Sequence, residues 1–316
     1  MVATGVSILH LSAMRITNQH IERSNISRLQ ANAQALDRAR EQVSSGQKIS
    51  IMSDDPGAAS EIVRTSSSLR AITQYKRNVS TARERSSAEE SVLDQLTNTI
   101  DRAVEVAVQG ASSTSSAATR TTSKSEIDQA LSFAVALGNT KIGDHYLFGG
   151  TRGSEQPLKS PATPTGPLSN LLDAALSPVN PSGGIPLEIR DGYSVTPNHN
   201  ATQVFIDSNA LQALRDLSAA LGNNDVPGIN AALGLLQNAG ENVQSLLADQ
   251  GARSNAYQVT ADSLDTQELD ITKYRSDLRD VDAEKALVEL SQRQTGYQAA
   301  LTATSKVLGL SLANYL

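Results

Sequence analysis

The chain has 316 residues, a net charge of −6, only 3% aromatic residues, and neither tryptophan nor cysteine. The lack of cysteine excludes disulfides, thiolate metal sites and a cysteine nucleophile, and the acidic balance argues against nucleic acid as a partner. Apolar runs stay well short of the ~20 residues that a membrane-spanning helix needs, so we expect no membrane partner. A composition rich in small and aliphatic side chains and poor in aromatic rings favours helices that pack along a seam.

The proline distribution divides the chain into three parts. Eight of the ten prolines lie between Pro157 and Pro197, while residues 57–156 and 228–316 contain none. A proline inside a helix costs about 3 kcal/mol, so long helices are permitted only outside the cluster. The sequence therefore predicts a mainly α protein: an elongated helical bundle or coiled coil made from the N- and C-terminal arms, with a small β-rich inserted domain.

Residues 1–13 are a leader of doubtful status, because Met14 could equally be the start of the chain. They also lack the basic start and the cleavage site of a signal peptide. Residues 14–50 are predicted to be an N-terminal coiled-coil arm. Its seam residues follow each other at alternating spacings of three and four, which is typical of a helix that meets another helix: Ile26, Leu29, Ala33, Leu36, Arg40 and Val43. Gly46 suits the left-handed position after the helix. Asp55 is predicted to cap the next helix, with Pro56 in its first turn.

Residues 51–150 are predicted to be the first half of a helical core. An apolar stripe at multiples of seven runs from Ile72 to Ala107, and it is interrupted once, by Ser86. We expect a Ser/Thr-rich loop over residues 110–125 and then a helix whose apolar pattern extends from Ile127 to Ile142 and which ends at residues 146–150.

Residues 151–205 are predicted to be the β-rich insert, with strands over 185–189 and 203–206 and a turn at Asp191-Gly192. Residues 206–280 form the second half of the helical core, with helices over 210–221 and after Pro227. Breaks are expected near Gly251 and Asp280. Residues 281–316 are predicted to be the C-terminal coiled-coil arm, whose seam is made of Leu290, Gln294, Tyr297, Leu301, Thr304 and Leu308.

Catalytic chemistry is absent from these patterns. The four histidines are scattered without ligand spacing. Gly149 to Gly153 follows a helix and enters a proline-rich segment, whereas a phosphate-binding loop needs a strand before it and a helix after it. We therefore predict no enzyme activity, no metal and no cofactor.

The two terminal seams lie at opposite ends of the sequence and can pair only if the chain folds back on itself. A two-helix coil buries too little surface to be firmly stable alone. We therefore expect the arms to become ordered when neighbouring subunits cover their remaining apolar surface. The predicted assembly residues are Ile26, Leu29, Leu36, Val43, Leu290, Tyr297, Leu301 and Leu308.

The same arms resemble the bacterial flagellin-family axial proteins. At the N-terminal end the similarity lies in Met14-Arg-Ile-Thr-Asn18, in residues 36–49 and in Ser53-Asp-Asp-Pro56. At the C-terminal end it lies in residues 280–284, in residues 298–301 and in the final Ser311-Leu-Ala-Asn-Tyr-Leu316. The Met-Arg-Ile-Thr start, the Asp-Asp-Pro cap and Tyr146-Leu-Phe-Gly-Gly150 resemble the subunits at the junction of hook and filament more than flagellin proper.

This resemblance implies a secreted structural subunit of the flagellum, exported unfolded through the type III apparatus without a cleaved signal. The implied partners are copies of itself in a ring, a neighbouring hook-associated protein, filament-side axial proteins and an export chaperone at the C-terminal arm. A divergent flagellin of the filament is the alternative. A coiled-coil signalling module is a remote one, since it would need an anchor or a recruiting domain.

Overall fold

The structure is a computed structural model that describes residues 7–158 and 183–313, without the side chains of residues 7–19, 21, 22 and 307–313. The chain is mainly α with two small two-stranded sheets in this part, so the predicted fold class is confirmed. The long elements are α1 (Ser7–Ser45), α2 (Pro56–Ala111), α3 (Ala117–Gly138), α4 (Ala210–Gly222), α5 (Val226–Arg279) and α6 (Ala283–Ala313).

The short elements lie between α3 and α4. Strands β1 (Lys141–Ile142) and β2 (His145–Tyr146) form one antiparallel hairpin, and β3 (Leu187–Arg190) and β4 (Tyr193–Val195) form another. A 3₁₀ turn spans Gly150–Arg152, and a π-helix spans Thr202–Asp207. Residues 159–182, the middle of the predicted insert, lie outside the described residues.

The chain divides into two compact units: a terminal unit, residues 1–69 and 269–316, and a central unit, residues 70–268. In the terminal unit α1 packs against α6, so the two ends of the sequence do meet. The predicted arm borders at residues 50 and 280 fall close to the ends of α1 and α5. Since α1 already begins at Ser7, the second half of the predicted leader is helical.

The predicted end of the first helix and start of the second are confirmed. Gly46, directly after α1, has φ +70, which a residue with a side chain rarely adopts. The N–H of Ala58 donates to Asp55 Oδ1 at 3.0 Å, which caps α2, and Pro56 is the first residue of that helix. Asp54 closes the preceding turn by accepting the N–H of Ile51 at 3.2 Å.

The break at Asp280 is confirmed, whereas the one near Gly251 is wrong. At Asp280 the backbone leaves the helix because the N–H of Val281 donates to Gly46 O at 2.9 Å and the N–H of Lys48 donates to Arg279 O at 2.6 Å. At Gly251 α5 continues without a break. A helical glycine costs only about 1 kcal/mol, which the packing of a long helix exceeds.

The central unit has one hydrophobic core, formed by α2 to α5 and the segments between them. The predicted α2 stripe from Ile72 to Ala107 is buried, and its interruption has a partner, because Gln250 Nε2 donates to Ser86 Oγ at 2.7 Å. Phe148 and Phe205 meet edge to face, with ring centroids 5.5 Å apart. The largest buried aliphatic side chains of this core are Leu93, Leu96, Ile100, Ile127, Leu147, Leu158, Leu211, Leu214, Leu217 and Leu221.

The predicted limits of α3 are wrong at both ends. The helix begins at Ala117, where Ser116 accepts the N–H of Thr119 at 3.1 Å, so the expected loop over 110–125 shrinks to a few residues. It ends at Gly138 and not at residues 146–150. The chain then turns at Gly143, φ +59, which places Ile142 in β1.

In the insert, the predicted strand ending at Ile189 and its turn are confirmed, because β3 and β4 pair around Gly192, φ +68. The predicted strand over 203–206 is wrong, since these residues form the π-helix. Val204 and Phe205 are both buried, whereas consecutive side chains of a strand point to opposite faces. Asn200 and Gln203 start this helix with reciprocal hydrogen bonds, each side-chain oxygen accepting the other residue's N–H at 3.0 and 3.1 Å.

Candidate functional site

The candidate functional site is the surface of the paired terminal helices. Within residues 7–158 and 183–313, no group of three or more His, Asp or Glu side chains could hold a metal ion. Among the helices of this same part of the chain, none has the length and apolar content to cross a membrane. The terminal unit instead presents grooves lined by both polar and apolar residues, together with exposed aliphatic side chains, along α1 and α6.

A groove between α1 and α6 brings three of the predicted assembly residues together. It encloses about 510 Å³, with Leu36 on α1 and Tyr297 and Leu301 on α6 among its lining residues. Leu36 is buried, Tyr297 is half-buried, and Leu301 keeps 43% of its surface exposed. The pairing of α1 with α6 therefore leaves part of the seam uncovered, and this part remains available to another molecule.

The other predicted assembly residues lie along the same two helices but outside this groove. On α1, Ile26 is 46% exposed, and Leu29 and Val43 are half-buried. On α6, Leu290 is half-buried, and the side chain of Leu308 lies outside the described residues. Their role in assembly stays a prediction.

A second groove was missed by the sequence pattern. It encloses about 720 Å³, and Val288, Gly296 and Tyr297 of α6 lie in its wall together with Asn32 of α1. Val288 and its neighbour Leu287 are 58% and 56% exposed. The predicted seam began at Leu290 and included neither residue. Leu287 continues the same alternation of three and four one step further back, so this spacing was the available signal, whereas no pattern indicated Val288.

Exposed apolar side chains are concentrated in the terminal unit. It carries nine of the fifteen large apolar side chains that the structure shows as exposed, although it is the smaller unit. Besides Ile26, Leu287, Val288 and Leu301 they are Ile51, Met52, Val63, Leu269 and Tyr274. Four of these nine side chains, Ile26, Leu287, Val288 and Leu301, lie on the paired helices α1 and α6.

Charged side chains border the same helices without forming strong pairs. Arg293 contacts Glu289 at 3.0 Å, and Lys285 contacts Asp282 at 3.1 Å, with all four side chains at least half exposed. The hydrogen bond from Lys285 lowers the pKa of Asp282. Exposed ion pairs of this kind contribute at most about 1 kcal/mol to stability. Such charges therefore affect the orientation of a binding partner more than its affinity.

Both arms match one protein family. The N-terminal helical region of bacterial flagellin matches residues 16–152, and the C-terminal helical region matches residues 233–316. The chain belongs to the flagellin family. The predicted resemblance is therefore confirmed, and the paired helices α1 and α6 lie largely within the two matched regions of this family of structural flagellar proteins.

Relatives within the flagellin family include the flagellar hook-associated protein 3 of Escherichia coli, 27% identical over 95% of this chain and 98% of that protein. The phase 2 flagellin of Salmonella abortus-equi is 26% identical over 74% of this chain but only 48% of its own length. A solved flagellar hook-associated protein from Vibrio parahaemolyticus, 19% identical, has the same fold, with a TM-score of 0.61 over 72% of this chain and 100% of that one.

Proposed function

We propose that this flagellin-family chain is the structural subunit that joins the hook of the bacterial flagellum to its filament. The observation that carries the proposal is the match along nearly the full length of both chains to a hook-associated protein 3. A flagellin matches over only half of its own length. We further propose that the chain has no enzymatic role and that it acts by assembly.

The terminal helices supply the assembly mechanism. Copies of the chain form a ring in which α1 and α6 of one subunit cover the grooves of its neighbours. A hook-associated protein lies on one side of the ring, and filament-side axial proteins lie on the other. Complete burial of a fully exposed large aliphatic side chain contributes about 1.5–3 kcal/mol. Leu287, Val288 and Leu301 are about half exposed, so burying each of them can stabilise the contact by roughly half of that amount.

Export precedes assembly in this proposal. The chain leaves the cell unfolded through the flagellar type III apparatus, and an export chaperone covers the C-terminal arm beforehand. Two features support this sequence of events: the chain has no cysteine that could form a disulfide before export, and α6 exposes an aliphatic pair, Leu287 and Val288. A chaperone would shield such a pair from premature contacts.

A deletion strain tests the junction function. We expect it to secrete filament protein into the medium and to build hooks without filaments, and plasmid-borne wild-type protein should restore the filaments. Normal filaments on the deletion strain would refute the proposal.

Complementation with two matched variants tests the assembly surface. Val288→Glu places a charge on the α6 groove and should fail to restore filaments. Val259→Glu makes the same change at a similarly exposed valine of the central unit, which is 65% exposed, and should restore the filaments. Equal activity of the two variants would argue against the groove as the contact surface.

A filament flagellin is the second candidate, supported by the phase 2 flagellin match. The two functions differ in where and how often the protein occurs. Immunogold labelling restricted to one band between hook and filament supports the junction subunit, whereas labelling along the whole filament supports a flagellin.

A further inference from the structure

The central unit contains a small polar cleft that assembly does not explain. It lies between α2, α5 and the segment that leads from β4 into the π-helix, and it encloses about 190 Å³. This volume is below the ~300–1,000 Å³ of sites for drug-sized ligands, so it accommodates one small group. Its polar walls include Arg85, Thr196, Asn198, His199, Asn200 and Arg253.

Two hydrogen-bond donors in this cleft lack an adequate partner among the described residues. Asn200 is only 3% exposed, and its Oδ1 accepts the N–H of Gln203 at 3.0 Å, which fixes the orientation of the amide. Its Nδ2 therefore faces away from Gln203 and donates to none of residues 70–158 and 183–268 that form the described central unit. Arg85 makes one long hydrogen bond, from Nη1 to Asn198 Oδ1 at 3.5 Å. None of the carboxylates in these described residues lies within ion-pair distance of Arg85.

The remaining polar groups of the wall already have partners. His199 Nδ1 lies 2.7 Å from Glu89 Oε1, and the N–H of His199 also donates to that carboxylate. Arg253 Nε contacts Asp249 at 2.7 Å, and Arg253 Nη1 donates to Thr196 O at 3.1 Å. The donors that remain available in the cleft are therefore the guanidinium of Arg85 and the side-chain amide of Asn200. The positive charge of Arg85 has no carboxylate partner among the described residues.

We propose that this cleft binds a small oxyanion, with a carboxylate as the ligand group. A guanidinium presents two parallel N–H groups that match the two oxygens of a carboxylate. The amide of Asn200, a lining residue that is only 3% exposed, adds a third donor. The carboxylate comes either from a free anion or from an acidic side chain of a second copy of the chain.

Titration of the full-length monomer with sodium acetate tests the proposal. NMR signals of the Asn200 side-chain amide and of Arg85 Nε–H should shift saturably with acetate but not with sodium chloride at the same ionic strength and pH. Arg85→Gln should weaken binding at least tenfold. Asn200→Asp keeps the acceptor for the Gln203 N–H but replaces the amide donor by a carboxylate oxygen. Its negative charge repels acetate, so this variant should weaken binding to a similar extent.

Arg83→Gln is the matched control, because Arg83 lies on the same helix outside the cleft and its loss should leave acetate binding unchanged. Absence of saturable shifts in the wild type, or equal binding by Arg85→Gln and Arg83→Gln, would overturn the proposal. Far-UV circular dichroism and thermal melting verify that each variant is folded.

Sedimentation velocity distinguishes the two sources of the carboxylate once acetate binding is established. If an acidic side chain of a second copy fills the cleft, acetate should weaken self-association of the wild type, and Arg85→Gln should weaken it without acetate. If a free anion is the ligand, self-association should be the same in acetate and in chloride.

Discussion

Glu89 and His199 form a buried polar pair that anchors the end of the insert. Glu89 has no exposed surface, and its carboxylate accepts both the backbone N–H of His199, at 3.1 Å, and the ring nitrogen Nδ1, at 2.7 Å. Because a carboxylate can only accept, Nδ1 donates to Glu89, while Nε2 lies 3.3 Å from Asp249 Oδ2 and 3.5 Å from Arg253 Nη2. The pair thus ties the segment after β4 to the middle of α2.

We expect Glu89→Ala to destabilise the central unit by about 3 kcal/mol, because it leaves buried donors of His199 without an acceptor. Urea unfolding followed by circular dichroism measures this change. Glu90→Ala removes the same group from an exposed neighbouring position and should change stability by less than about 0.5 kcal/mol. Similar losses in the two variants would show that the buried pair has no special role.

Asp282 makes the start of α6 sensitive to pH. Its Oδ1 accepts the N–H groups of Glu284 and Lys285 at 3.1 and 3.2 Å, and the hydrogen bond from the Lys285 side chain contributes most to the lowered pKa. The folded-state pKa thus lies below the unfolded value of about 3.9, so the cap stabilises α6 fully above that pH and is lost as the pH falls through the folded-state pKa.

We expect the amide protons of Glu284 and Lys285 to lose protection from hydrogen exchange as the pH falls from about 4 to about 2, after correction for intrinsic rates. In Asp282→Asn the cap has no charge to lose, and protection should not change over this interval. Protection that stays constant in the wild type, or rises on acidification, would contradict the assignment.

At the level of single residues, the sequence predicted what depends on near neighbours. The Asp55 cap, the position of Pro56 and the glycine after α1 each follow from a few adjacent residues. The partner of Ser86 could not be predicted, because Gln250 lies 164 positions away. The Glu89–His199 pair spans 110 positions and was likewise invisible. Neither glutamate nor histidine carries a pattern that indicates burial.

At the level of elements, the helices were easier to predict than their ends. The end of α2 was obscured by its Ser/Thr-rich continuation, because the deciding side chain comes later. Arg120, which is buried, donates from Nε to Gly110 O at 2.8 Å and from Nη2 to Ser112 O at 3.0 Å. This arginine satisfies carbonyl groups at the end of α2 from within α3. The loop can therefore be short.

Close packing at the same end of α2 gives Gly110 a role that Gly234 lacks. A Cβ at Gly110 would lie 2.8 Å from Leu221 Cδ2, and Leu221 is itself buried, whereas a Cβ at Gly234 would meet nothing within 4 Å. We expect Gly110→Ala to destabilise the protein by about 1 kcal/mol through overpacking. Gly234→Ala should stabilise it by about 0.5–1 kcal/mol through helix propensity.

Thermal unfolding of the two glycine variants, at equal protein concentration, measures these opposite effects. The difference in sign is the decisive result, since both substitutions add the same methyl group to a helical glycine. If both variants were more stable than the wild type, the contact between α2 and α4 would be looser than the structure indicates.

At the level of the whole molecule, the two units bury their apolar residues differently. The central unit has a continuous core that draws on α2, α3, α4 and α5. In the terminal unit, buried apolar side chains on the paired helices are few: Leu36 and Ala39 on α1, and Ala286 on α6, among the side chains described there. The periodicity of the sequence indicated the two terminal arms and the two halves of the helical core. It could not show which apolar stripes are covered within one chain and which remain exposed for contact with another subunit.

This difference predicts that the isolated monomer opens first in its terminal unit. Local stability follows the number of buried apolar contacts, and a two-helix pair has few. Limited proteolysis of the monomer should remove α1 and α6 and leave a fragment from about residue 50 to about residue 280, with hydrogen exchange fastest over the same helices. In the assembled junction both helices should become protected, because neighbouring subunits bury their exposed residues. Resistance of residues 26–43 in the isolated monomer would show instead that the arms are stable without partners.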